Sequence, residues 1–463
     1  MGETILASNG NILPFYYVDV KTIRNQYSRW HQALPFIKPH YAVKCNPDPV
    51  VLRTLYECGA GFDCASISEI NQALRFVTPT TPATPTTTTT TSTTTSTTTT
   101  TTTTTTTPTS AHPPQPPALL PSTSVDQILF ANPIKEATAI VSAADLGVHK
   151  MTVDSVEELQ KIAVHNPHAL VMVRILVNDI DSRCPLGTKY GTPMKEVNTI
   201  MLEAQRLNIQ IVGVSFHVGS GQTNPQAYVS AIQRARIAFD IGADCGHVDT
   251  MNILNIGGGF IDDGNFEQIA QIITTSIEEA FPRWQVEGNE VTKEGEGRLL
   301  SVIAEPGRFF VSESFQLVTK VIGRKGSMVY INDSIYGSFN NIMYDHAVVQ
   351  PAGVMSKRGD SVHWYAEEVS GSKSNDDGSG NGIAKDDTEG GCSIWGQTCD
   401  GLDRITRASS CDVNRAEIDE WLIWPNMGAY TSSASSQFNG FEKPNVFYNM
   451  EGEQVEELVL KER

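Results

Sequence analysis

Four residues able to carry charge or form bonds stand where apolar runs stop. Lys44 follows Tyr41-Ala42-Val43 in "KPHYAVKCNPDP" (38–49), His217 closes "IVGVSFHVG", and Glu305 and Arg308 lie in "EPGR" after "SVIA". Singly, each has an ordinary reading. A lone lysine after an apolar run snorkels into water, a strand-end histidine serves as a structural hydrogen-bonder, and Glu305 with Arg308 makes a local ion pair. Two glycine-rich stretches shift the balance. "NIGGGF" places Gly257, Gly258 and Gly259 where backbone N–H groups can approach an anion closely. "HVGSG" adds the Ser220 hydroxyl, and Arg308 is a natural phosphate partner.

An amine, a phosphate cradle, a flat imidazole and an opposed carboxylate together fit pyridoxal 5'-phosphate. In this reading Lys44 condenses with the cofactor's aldehyde. Glu305 keeps the pyridine nitrogen protonated, because a nearby opposite charge favours the charged form. The protonated ring then serves as an electron sink for a carbanion at a substrate's α-carbon.

Such residues converge only if the elements carrying them share one end. Before residue 312 the chain alternates eight short apolar runs ("HYAVKC", "GFDCAS", "ILFANP", "KMTVDS", "LVMVRIL", "IVGVSFHVG", "MNILNIGGG", "SVIAEPGR") with stretches of helical spacing, such as 155–166 and 193–208. Apolar strands alternating with helices predict a parallel (β/α)8 TIM-type barrel, a doubly wound open sheet being the alternative. The runs end in Lys44, Asp63, Asn132, Asp154, Arg174, His217, Gly257 to Gly259 and Glu305. In a barrel those ends face one shared site.

After residue 312, short strand-like runs without intervening helices predict a β-rich second domain, of β-sandwich or β-barrel type, over 313–463. The segment 1–19 is expected to join it through "LPFYYVDV", leaving 20–312 to the barrel. Residues 78–124 are dominated by threonine and proline and are expected to be a disordered insert; a glycosylated stalk would require secretion. The insert falls in a helix-to-strand loop, on the barrel face opposite the site. A second foreign stretch, about 357–391, reads as a flexible acidic loop.

The chain has 463 residues, 40% hydrophobic, with net charge -18 and pI near 5.0. That balance argues against nucleic-acid binding. Eight scattered cysteines without a CxxC pair argue against zinc and for free thiols in a reducing compartment. With no signal-peptide pattern, no myristoylation serine or threonine at Leu6 and no long apolar span, a cytoplasmic protein is expected.

The motifs "YAVKCN", "GFDCAS", "SFHVGSG", "IGGGF", "EPGR", "YGSFN…YDHA", "WGQTCDGLDR" and "NMGAYTSSASSQFNGF" together resemble eukaryotic-type ornithine decarboxylase, in the barrel-plus-β-domain group of pyridoxal-phosphate decarboxylases. The likeness runs from about Pro14 to Met450, outside the two foreign segments. It implies that Lys44 binds the cofactor covalently beside Asp63, that His217 stacks on the ring, and that Glu305 pairs with its nitrogen. It places Arg174 and the Pro306-Gly307 turn at the cofactor, and implies that Ser220, Gly257, Gly258, Gly259, Arg308 and Tyr430 hold the phosphate. It implies a homodimer with shared sites, in which Cys399 and Asp400 of one subunit reach the cofactor of the other and Cys399 steers protonation of the carbanion. Tyr344, Asp345 and Asp400 would contact the substrate, and Lys189 would pair with Asp403 between subunits. Aspartate at 345, where arginine-preferring members carry glutamate, implies ornithine as substrate. Lysine, one methylene longer, is distinguished by only about 1–3 kcal/mol.

Some relatives bind antizyme through the segment equivalent to 142–166, and non-catalytic antizyme-inhibitor-like relatives lose site residues that are present here. A racemase would carry a basic partner for the ring nitrogen in place of Glu305, and a diaminopimelate decarboxylase would carry a substrate-binding arginine. The usual C-terminal extension that promotes degradation is expected to be absent.

Overall fold

Residues 13–77, 124–282, 284–287, 298–358, 361–365, 392–408 and 411–450 are described by a computed structural model. Eight parallel strands close into the expected barrel: Ile37–Ala42, Gly61–Cys64, Ile128–Phe130, Lys150–Val153, Leu170–Arg174, Gln210–Ser215, Ile253–Asn255 and Arg298–Ala304. Closure is direct, with Val302 registered against Ile37 and Ser301 against Ile253. A ninth strand, Trp284–Val286, extends the edge beside Arg298–Leu300 and was not foreseen.

Local chemistry sets where the helices begin and stop. Asp48 accepts the N–H groups of Val50 and Val51 ahead of Pro49, and Gly59, at φ 108°, ends that helix in the left-handed region. Ser155 caps the helix Val156–His165 through the Glu158 N–H, and Asn208 ends Met194–Leu207. These two helices match the spacing read at 155–166 and 193–208. Leu129, Met172, Val212 and Ile303 fill part of the barrel interior.

The second sheet has nine strands. Phe15–Asp19 pairs antiparallel with Phe315–Val318 and parallel with Asn445–Asn449, so residues near both ends of the described chain meet in one sheet. Phe15, Val318, Met355, Trp421 and Ile423 form its apolar cluster. Two short helices, Asn340–Tyr344 and Cys411–Arg415, interrupt what the sequence presented as strands alone. Gly353–Arg358 pairs antiparallel with Ser361–Tyr365 where a loop was expected to begin, while 366–391 lies outside the described residues.

The insert 78–123 also lies outside them. Its two flanks are the helix ending at Val77 and the short turn Ser124–Gln127, which enters a barrel strand from its N-terminal end. Among the described residues, no helix is long and apolar enough to cross a membrane.

Candidate active site

The first barrel strand stops at Ala42 and continues as one tight turn, Val43–Cys45. Val43 and Cys45 are buried, which turns the Lys44 side chain toward the centre of the barrel mouth. Lys44 Nζ pairs with Asp63 Oδ2 from the neighbouring strand. Burial works against the ammonium, but Asp63, Tyr430 and Glu305 outweigh it and hold its pKa above the ordinary lysine value. The turn is braced from the second domain: Tyr430 N–H and Ser433 Oγ both donate to Cys45 O, and Asn46 donates to Gly428 O at 2.9 Å.

The glycine loop cannot carry side chains. Gly257 and Gly259 have φ of 65° and 105°, in the left-handed region. A Cβ on Gly258 would lie 2.7 Å from Glu305 O and 2.9 Å from His217 Nε2, so the loop packs onto the imidazole. His217 Nδ1 accepts the Gly219 N–H at 3.0 Å, which leaves the ring proton on Nε2. Burial, with Arg174 and Lys44 nearby, holds this histidine neutral, well below its usual pKa.

Glu305 follows the last barrel strand, and its Oε1 accepts from Asn255 Nδ2 at 2.7 Å. Burial and the Asp63 charge push its pKa up to about 7, against the pull of Lys44, Asn255 and Arg174. Arg308, one turn on, donates from Nη2 to Ser220 Oγ (3.2 Å) and to Asp345 Oδ1 (2.5 Å), with Tyr430 stacked 5.1 Å away. Tyr430 itself has φ 55°, an uncommon conformation for a non-glycine residue.

Ala42, Lys44, His217, Ser220, Gly259, Phe260, Glu305, Gly307, Arg308 and Tyr430 line one solvent-open pocket of about 300 Å³. Four buried polar atoms around it lack a hydrogen-bond partner: Asp63 Oδ1, Arg174 Nε, Arg308 Nε and Asp345 Oδ2. Buried polar groups are normally paired, so this set calls for a charged ligand with an anionic end.

Comparison with known proteins decides which one. The family described as "Pyridoxal-dependent decarboxylase, pyridoxal binding domain" matches residues 20–91 and 118–312. Ornithine decarboxylase of Mus pahari is 34% identical over 458 residues, covering 94% of this chain and 80% of that protein. The Schizosaccharomyces pombe ornithine decarboxylase is also 34% identical, with 94% and 83% covered. The chain belongs to the pyridoxal-dependent decarboxylases. Within that family it falls in the eukaryotic-type ornithine decarboxylase group. Among solved structures, the arginine decarboxylase of Paramecium bursaria Chlorella virus bound to agmatine superposes with a TM-score of 0.72 at 28% identity, covering 96% of this chain and 99% of that one. The lysine/ornithine decarboxylase of Vibrio vulnificus complexed with putrescine gives 0.67 at 26% identity, with 96% of each chain covered. The lining described above fits pyridoxal 5'-phosphate: an amine for its aldehyde, a carboxylate for its ring, and glycine N–H groups, a hydroxyl and an arginine for its phosphate.

Most of the decarboxylase residues read from sequence meet here. Arg174, the last residue of its strand, stacks on Tyr190 at 5.1 Å and faces Glu305 and Asp63 electrostatically. Pro306 O accepts the Ala42 N–H, and Gly307 packs on Cys45. Cys399, Asp400 and Tyr344 do not line this pocket. Cys399 is exposed, Asp400 bonds to Tyr336 Oη, and Tyr344 is 76% exposed.

Two residues are engaged within this chain. Asp345 is 5% exposed and paired with Arg308. Asp403, expected to meet Lys189 of a second copy, is 1% exposed and turned into its own loop. It accepts from Ile335 N, Thr398 N and Thr398 Oγ1, and packs over Gly396, where a Cβ would come within 2.3 Å. Lys189 is exposed, its Nζ over the Tyr190 ring at 4.9 Å.

The sequence reading missed Asn255 and Cys184. Asn255 is the polar last residue of an otherwise apolar strand, a signal available in "MNILN". Cys184, which reaches Asp345 Oδ1 at 3.7 Å, sits on an unforeseen two-stranded antiparallel sheet pairing Ser182–Cys184 with Ser220–Gln222.

Proposed function

We propose that this chain decarboxylates L-ornithine to putrescine, the entry step of polyamine synthesis, as a homodimer in which each site draws residues from both subunits. When bound, pyridoxal 5'-phosphate supplies the electron-accepting ring that stabilises charge at the substrate's α-carbon as carbon dioxide leaves. Lys44 holds the cofactor through Nζ, and Asp63 keeps that side chain oriented. Glu305 pairs with the ring nitrogen, and His217, neutral and backed by the glycine loop, supports the ring face. Ser220, Gly257, Gly258, Gly259, Arg308 and Tyr430 hold the phosphate, with Pro306 and Gly307 fixing the turn that delivers Arg308. Cys399 and Asp400 of a second copy complete the site, the thiol giving a proton to the α-carbon and the carboxylate facing the substrate's ammonium beside Tyr344. The exposure of Cys399 and Tyr344, together with Leu402 at 71% and Phe438 at 42%, supports a covering subunit.

The observation that carries the substrate assignment is the state of Asp345. Its buried carboxylate leans on Arg308 through Oδ1 and leaves Oδ2 unpartnered. A phosphate at Arg308 competes for the same guanidinium and leaves a buried carboxylate in need of a cation, which a terminal ammonium supplies. Seven described cysteines are free, which supports a reducing, cytoplasmic setting.

Release of labelled carbon dioxide from ornithine, lysine and arginine, measured side by side, tests the assignment. Ornithine is expected to exceed lysine in kcat/KM by roughly 10- to 200-fold, the range one methylene supplies. A higher value for lysine or arginine would overturn it.

A further inference from the structure

We propose that Asn255 is a positioning residue whose side-chain amide ties the glycine loop to Glu305, fixes one carboxyl oxygen as an acceptor and favours its ionised form. The inference rests on the reading in which Glu305 meets the cofactor's ring nitrogen. Asn255 is 0% exposed and makes two short bonds. Its Oδ1 accepts the Gly257 N–H at 2.9 Å, and its Nδ2 donates to Glu305 Oε1 at 2.7 Å. The first bond fixes the orientation of the second. A backbone N–H can only donate, so the atom facing Gly257 is the oxygen and the atom facing Glu305 is the nitrogen. Glu305 Oε1 is therefore required to accept, a demand that a carboxylate meets better than a neutral acid.

The same side chain thus braces the anion cradle and biases the ring partner toward its charged form. The other groups around Glu305 pull in both directions. Asp63 favours its protonation, Lys44 and Arg174 oppose it, and His217, packed through Gly258, stays neutral. Asn255 is the hydrogen-bond donor in this set that holds Glu305 directly.

Asparagine to aspartate is close to isosteric and gives a signature that simple structural damage would not. The introduced carboxyl still accepts from Gly257 N–H, but its second oxygen faces Glu305 Oε1. At acidic pH the two acids share one proton and the bond survives; at alkaline pH both ionise and repel. The measurement is pyridoxal 5'-phosphate uptake by the full-length, cofactor-free protein, followed by fluorescence quenching at pH 6 and pH 8.5. Asn255→Ala is expected to weaken binding about tenfold at both values, the loss of a hydrogen bond to a charged group. Asn255→Asp is expected to stay within about threefold of wild type at pH 6 and to fall to the alanine level at pH 8.5. If Asn255→Asp and Asn255→Ala both follow wild type while Glu305→Gln does not, the proposal is overturned. If Glu305→Gln itself binds like wild type at both pH values, the reading of Glu305 fails and the proposal with it.

Discussion

Changing Asp345 to asparagine separates two roles that one carboxylate could play. In the structure it braces Arg308 at 2.5 Å, and in the proposed reaction it receives the ammonium at the far end of ornithine. The amide keeps the size of the side chain and can still accept from Arg308, so the local packing survives. What disappears is the negative charge at a site only 5% exposed. A hydrogen bond to a charged group contributes about 1.5–3 kcal/mol, and 1.36 kcal/mol is tenfold in rate, so kcat/KM for ornithine should fall by about 10- to 150-fold. The control substrate is 2-aminohexanoate, which ends in a methyl group where ornithine has its ammonium. Its kcat/KM should change by less than about twofold, because the lost interaction was never made with it. Cofactor affinity should hold or rise, since a competitor for Arg308 has been weakened. Equal losses on both substrates, accompanied by weaker cofactor binding, would refute the reasoning and leave Asp345 as a support for Arg308 alone.

Two further outcomes follow from the same geometry. Glu305 rises from 4.5 to about 7 in the folded cofactor-free protein. Between those values the folded state binds the extra proton, so this group's stabilising contribution is present at low pH and lost as pH rises through about 7. Thermal midpoints taken from pH 5 to 8 should therefore fall more steeply for wild type than for Glu305→Gln, and parallel curves would contradict the shift. Mixing Lys44→Ala with Cys399→Ala subunits should restore about a quarter of wild-type turnover, because half of randomly mixed dimers carry one intact site; no recovery would mean that sites are not shared.

How much of this was legible beforehand depended on the range of the interaction involved. Lys44, Asp63, His217, the glycine loop and Glu305 were readable because a parallel barrel turns sequence position into spatial position: the residue after each apolar run reaches the same mouth. Arg308 with Ser220 followed from the same logic. The pairing of Arg308 with Asp345 did not, because position 345 belongs to a five-residue helix, Asn340–Tyr344 and its cap, too short to leave a periodic signal. Asp403 was read as an intersubunit partner; that its carboxylate also accepts from Thr398 in the adjoining turn was not legible, because such local bonds leave no periodic signal. Asn255 was hidden by its setting: in an apolar strand it looked like a tolerated polar residue, and only the 2.7 Å approach to Glu305 gives it meaning. Cys399 and Asp400 lie beyond what one chain can resolve, because their proposed target is in another copy.

The central claim is that Lys44, and no other amine, carries the cofactor. Borohydride treatment of the protein loaded with pyridoxal 5'-phosphate fixes the cofactor to whichever amine holds it, and peptide mass spectrometry then locates the added mass. The account predicts one modified peptide, the one containing Lys44, with modification abolished in Lys44→Ala. Label on a different lysine, or equal labelling of the alanine variant, would contradict it.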